Sequence, residues 1–96
     1  MDCGTITYSG HAIRRMFERG IAESDVSEVI SSGEVIAEYP NDTPYPSYLL
    51  LGFSGGNPLH VLIGMDDKAG NCYVVTTYIP SLDVWNDDYR TRQESS

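Results

Sequence analysis

SYLLLGFSGGNPLHVLIGMDDKAGNCYVVTTYI, residues 47–79, decides the fold. Three apolar runs, at 47–53, 58–66 and 72–79, are separated by the turn clusters SGGN and DDKAGN. Runs of this length punctuated by Gly, Asn and Asp read as strands, and loops this short join antiparallel neighbours. A fourth run, EVIAEY at 34–39, precedes them behind the turn cluster PNDTPYP. In DDKAG, a type I turn followed by left-handed Gly70 pairs Asp67 with Asn71. That register sets His60 opposite Tyr78, with Thr76 one pair along on the same face. An odd-length loop through SGG then places His60 beside Leu50 or Gly52. The face with Leu49, Leu51, Phe53, Leu59, Val61, Ile63, Met65 and Val75 is apolar and is the expected core. His60 falls on the second, more polar face with Tyr48, Thr76 and Tyr78.

Upstream, the period changes to helical. Ser9 is an N-cap and Gly20 a left-handed stop, with Ala12, Ile13, Met16 and Phe17 at helical spacing between them. A second helix is expected over 24–32, with Val26, Val29 and Ile30 as its apolar stripe and Gly33 after it. The expected architecture is ααββββ: an α+β domain with two N-terminal helices on one face of a four-stranded antiparallel sheet. After Pro80 the periodicity is lost. Trp85 and Leu82 are expected to fold back on the sheet, and 86–96 reads as a frayed acidic tail.

The chain has 96 residues, enough for a single domain (1–96) with an ordered core over about 5–85. Its hydrophobic fraction of 41% and charged fraction of 21% are those of a globular protein. Neither a secretory leader nor a membrane-length apolar run is legible, so a cytoplasmic location is expected. Cys3 and Cys72 lack metal-type spacing. They are expected to remain thiols, with a Cys3–Cys72 disulfide as the alternative. Nothing in the spacing points to a metal or cofactor. The net charge of −8 and pI near 4.4 weigh against a general nucleic-acid binder, so any anion site must be local.

One such locality stands out. His11, Arg14, Arg15 and Arg19 gather half of all Lys and Arg on the first helix. At about 100° per residue, His11, Arg15 and Arg19 form a column one turn apart along the border of the buried arc, which holds Ala12, Ile13, Met16 and Phe17. Free N–H groups of a first helical turn, beside a histidine and an arginine, suit a phosphate or carboxylate. A solvated face, with Glu18 pairing Arg14 or Arg15 and Arg19 serving the helix dipole, explains part of the same cluster. His60 and Tyr78 admit two readings as well: a cross-strand pair, or a general acid or base beside a phosphate contact. Tyr8, Tyr39, Tyr45 and Tyr48 offer stacking surfaces to bases, with edge and loop packing as their simpler use.

The segments HAIRRMFERGI, GEVIAEYP, SYLLLG, PLHVLIG and VVTTYIP together resemble a bacterial family of unassigned role, domain-of-unknown-function family 4258, over about residues 5–85. The resemblance implies a compact fold similar to RelE and barnase-like ribonuclease toxins, and pairing with a small antitoxin-like protein. It implies metal-free endoribonuclease chemistry on RNA, or an inactive relative of such an enzyme. The alternative is a non-catalytic protein-binding module of a toxin–antitoxin-type or regulatory pair. Carried over by position, His11, His60 and Tyr78 are the catalytic candidates, and Arg15, Arg19 and Thr76 the phosphate-binding ones.

Overall fold

The computed structural model describes residues 1–93. The elements run β1 (Thr5–Tyr8), α1 (Gly10–Arg19), α2 (Glu23–Ser32), β2 (Glu34–Tyr39), β3 (Ser47–Ser54), β4 (Asn57–Asp66) and β5 (Asn71–Tyr78). The sheet order is β1-β5-β4-β3-β2, with β1 parallel to β5 and the other neighbours antiparallel. The expected ααββββ order with four antiparallel strands is therefore corrected to βααββββ with a five-stranded mixed sheet. The missed strand, TITY, is only four residues long and alternates exposed and half-buried positions, so it carries no apolar run. Its partner is distant in sequence: Ile6 lies beside Cys72, and Ser9 N–H donates to the Val74 carbonyl at 3.1 Å.

Cys3 and Cys72 are joined as a disulfide that ties the start of the chain to β5 across a sequence separation of 69. The thiol expectation is thereby corrected. The Cα–Cα distance of 5.6 Å is normal for a disulfide; the chain bends at Gly4, just ahead of the parallel ladder in which Ile6 lies against Cys72.

The helices form as their caps dictate. Ser9 Oγ accepts from Ala12 N–H at 3.0 Å, and Gly20 ends α1 in the left-handed region at φ 66°. The Asp25 carboxylate accepts from Ala22 N–H at 2.9 Å, holding the first turn of α2. α1 packs over β5, and α2 over β3 and β4. Between helices and sheet lies one core of Ala12, Met16, Ile21, Val26, Val29, Ile30, Leu50, Leu59, Val61, Ile63, Cys72 and Val74. Only part of the predicted α1 stripe is buried: Ile13 is 54% exposed and Phe17 89%. Among the described residues, no helix is long and apolar enough to cross a membrane.

Strand parity differs from expectation on β3. The loop after it has two residues, Gly55 and Gly56, both at positive φ, so Ser54 pairs with Asn57 and Leu51 with His60. This even-length turn sends Leu49, Leu51 and Phe53 to the face away from the helices. Tyr48, Leu50 and Gly52 face the helices instead. His60 does pair with Tyr78, though by another route. The ladder starts at Asp66–Asn71, one residue off the expected register, and a bulge between Leu62 and Ile63 restores it.

Gly52 explains the close seat of α2. A Cβ built there meets Val29 Cγ2 at 2.8 Å and Cγ1 at 3.0 Å. Val29 is β-branched and fully buried, so it has no free rotamer to yield. Gly52→Ala is expected to cost about 2 kcal/mol, read as a lower denaturant midpoint with unchanged slope.

Candidate functional site

The helix-free face of the sheet is covered at one end by the chain after Pro80. Ser81 N-terminates a turn in which Trp85 N–H donates to the Ser81 carbonyl at 2.9 Å, and a Trp85–Arg92 bridge closes the segment. Residues 86–93, which the sequence leaves as a tail, carry further contacts. Arg90 forms a salt bridge with Glu34 on β2, and the Tyr89 ring meets Phe53 edge-on at 6.5 Å. Trp85 is buried as expected, whereas Leu82 is 53% exposed.

Beneath this segment sits His60, fully buried. Its ring meets the Trp85 ring edge-on at 4.5 Å and the Tyr78 ring at 5.2 Å. Both ring nitrogens are engaged: Nε2 with the Tyr89 carbonyl at 2.7 Å, and Nδ1 with the Tyr78 hydroxyl at 3.1 Å. A carbonyl oxygen only accepts, so Nε2 carries the proton. Burial pushes the His60 pKa down, with the Tyr89 carbonyl partly opposing, which leaves the ring neutral at pH 7. Nδ1 is then an acceptor, and the Tyr78 hydroxyl donates to it. The Tyr78 pKa is pushed up by burial and by Tyr39, with the Arg92 charge pulling it down. Tyr89 has a left-handed backbone, φ 58°, at the point where its carbonyl turns toward His60.

Tyr78 also lines a cavity of about 590 Å³ shared with Arg19, Ser81, Trp85, Arg92 and the apolar Ile79 and Val84. Arg19, at the end of α1, reaches round the end of the sheet and donates to the Thr77 carbonyl at 2.8 Å. Arg92 lies over the Trp85 ring, its Cζ 5.7 Å from the centroid. Among the described residues, the carboxylate salt bridges are those of Arg15 and Arg90, so neither cavity arginine is neutralised by one. Two guanidinium forks and a phenol around one cavity are a set for a phosphate or carboxylate. Among the described residues, no three His, Cys, Asp or Glu side chains converge as metal ligands.

The structure divides the sequence candidates. Arg19 and Tyr78 share the cavity, and His60 stands directly behind Tyr78. His11 is exposed on α1, whose buried residues pack on the opposite face with Val61 and Val74. The sheet thus separates His11 from His60. Arg15 is turned to Glu18, its Nη1 2.9 Å from the carboxylate. Thr76 pairs with Leu62, half-buried, and does not line the cavity. Sequence reasoning did not assign Arg92, Ser81 or Trp85 to a site. The available signal was the single Trp, Trp85, four residues ahead of YRTRQ (89–93), whose two arginines stand in an otherwise acidic segment.

An α+β domain with a two-arginine, one-tyrosine cleft on its helix-free face is the class that fold and geometry define. The chain belongs to the family of the domain of unknown function DUF4258, whose model matches residues 8–79. No curated protein and no solved structure matches it. The matched span carries Arg19, His60 and Tyr78, whereas Trp85 and Arg92 lie beyond it.

Proposed function

We propose that the chain is a metal-free endoribonuclease acting at the Arg19–Tyr78–Arg92 cleft. The observation that supports this most is the Tyr78–His60 hydrogen bond at 3.1 Å, which opens onto a cavity with two arginines. In this reading the ribose 2′-hydroxyl gives its proton to the Tyr78 oxygen as Tyr78 passes its own to His60 Nδ1. The imidazolium so formed keeps its Nε2–H on the Tyr89 carbonyl. The 2′-oxygen bonds to phosphorus and the bond to the 5′-oxygen breaks. The leaving oxygen takes a proton from water, the hydroxide left takes back the proton held on His60 Nδ1 by way of the Tyr78 hydroxyl, and a 2′,3′-cyclic phosphate remains. Arg19 and Arg92 meet the charge that grows on the phosphoryl oxygens. His11 and Arg15 have no part in this scheme.

General base catalysis is worth about 10²–10⁴-fold. Tyr78→Phe, which removes the hydroxyl and keeps the ring, is expected to cut cleavage of a single-stranded ribo-oligonucleotide in EDTA by about 100-fold or more. A Tyr78→Phe protein as active as wild type overturns the assignment.

The protein-binding reading draws on a different observation, the exposure of Phe17 (89%) and Ile13 (54%) one turn apart on α1. An apolar pair beside the exposed Arg14 suits a small partner protein with an apolar, acidic surface. A wild-type chain that cleaves no RNA but forms such a complex, lost in Phe17→Ser, favours this reading.

A further inference from the structure

The helix-free face carries a second cavity, of about 330 Å³, at the other end of the sheet. Its floor is set by register: Ser47, Gly64 and Tyr73 lie side by side on β3, β4 and β5. Gly64 has no side chain to fill the space. The loop before β3 closes over this floor, pinned where Met65 N–H donates to the Pro46 carbonyl at 3.0 Å. It brings the Tyr45 ring parallel to Tyr73, with an interplanar angle of 3° and centroids 5.3 Å apart. Parallel planes at that separation are an offset stack, which leaves part of each π face uncovered. Thr43 and Pro44 complete the lining, with Val75 at the edge.

We propose that this cavity is a nucleobase subsite, with Tyr45 and Tyr73 as its stacking platform and the Thr43 and Ser47 hydroxyls as partners for a base edge. The inference rests on the ribonuclease reading and names where a base flanking the scissile phosphate is held. Three observations point to a base. The cavity falls within the ~300–1,000 Å³ of small-molecule sites. Its lining holds no lysine or arginine, so it does not suit a phosphate. Asp66 lies near enough to push the Tyr45 pKa up, and its charge repels an anion. A neutral planar ring meets none of that repulsion and gains stacking with either tyrosine. Position favours a strand rather than a lone ligand. Gly64 and His60 lie on the same face of β4, four residues and hence about 13 Å apart, a distance that a short single strand bridges.

Backbone amide shifts of the ¹⁵N-labelled protein test this with two separate probes, unphosphorylated uridine or adenosine and inorganic phosphate. Nucleoside is expected to shift Ser47, Gly64 and Tyr73, and to show intermolecular NOEs from base protons to the Tyr45 and Tyr73 rings. Phosphate is expected to shift Tyr78, Ile79 and Ser81. Tyr45→Leu is expected to weaken the nucleoside response about tenfold or more and to leave the phosphate response unchanged. The wild-type NOEs decide the matter if that variant does not fold. Phosphate shifts without nucleoside shifts or NOEs overturn the subsite and leave the cleft standing. Silence toward both probes overturns both. An undiminished nucleoside response in folded Tyr45→Leu overturns the stacking platform.

Discussion

Cys3→Ala is expected to destabilise the protein by about 4 kcal/mol, the largest effect of any single change considered. A bond across a sequence separation of 69 removes loop entropy from the unfolded chain, which for a loop of this length is worth about 4 kcal/mol in the chain-entropy account. Alanine at position 3 leaves Cys72 as a small apolar group in the core, where it is fully buried. The same change loosens β1, whose ladder to β5 is only four residues long. Denaturation with and without reductant provides the check. Wild type should fall to the variant's midpoint when reduced, and the variant should not respond. A wild-type midpoint indifferent to reductant contradicts the bond's role.

His60→Ala is expected to cost about 3 kcal/mol, on the order of 12–24 °C in Tm. The side chain is fully enclosed, so truncation opens a cavity between β4 and Trp85. It also strips the Tyr89 carbonyl and the Tyr78 hydroxyl of their partner. His60→Phe refills the volume without restoring either hydrogen bond. It should recover part of the loss, and the remainder measures the polar contribution. The two variants differ from wild type in pH dependence too. With its folded pKa below the ordinary 6.5, His60 binds a proton more readily when unfolded. Its contribution is therefore complete above about pH 6.5 and lost as pH falls through the folded value. Asp25, Glu34 and Asp88, held low mainly by hydrogen bonds from Ser54, Arg90 and the Arg90 backbone, lose theirs only below the ordinary carboxylate range. A stability slope that sets in as pH falls below about 6.5, present in wild type and absent in His60→Phe, is the expected signature.

The central strands were legible because residues 47–79 alternate long apolar runs with turn residues. The His60–Tyr78 pair was expected from a register one residue off at the turn, and the bulge between Leu62 and Ile63, which no pattern of the sequence marks, brings the two together all the same. Strand β1 was not legible, since TITY is short and polar and its partner lies near the other end of the chain. The face of β3 hinged on one residue of loop length: the Gly55–Gly56 turn is even where an odd loop was expected, and every side chain on that strand changes sides. Arg19 was found by helical spacing, but spacing placed it with His11 and Arg15. The guanidinium instead follows its long stem round the sheet end to the Thr77 carbonyl. Arg92 and Trp85 sit in a segment without periodicity, whose order comes from packing on His60 and Phe53 rather than from local propensity.

The central claim is that the site lies on the helix-free face, around Arg19 and Tyr78 and backed by His60. Its most direct test is the rate of RNA cleavage in EDTA by Arg19→Ala set against His11→Ala. Arg19→Ala is expected to lose about 100-fold or more, and His11→Ala to keep wild-type activity. Full activity in Arg19→Ala, together with a loss in His11→Ala, would put the chemistry on the exposed face of α1 and contradict it.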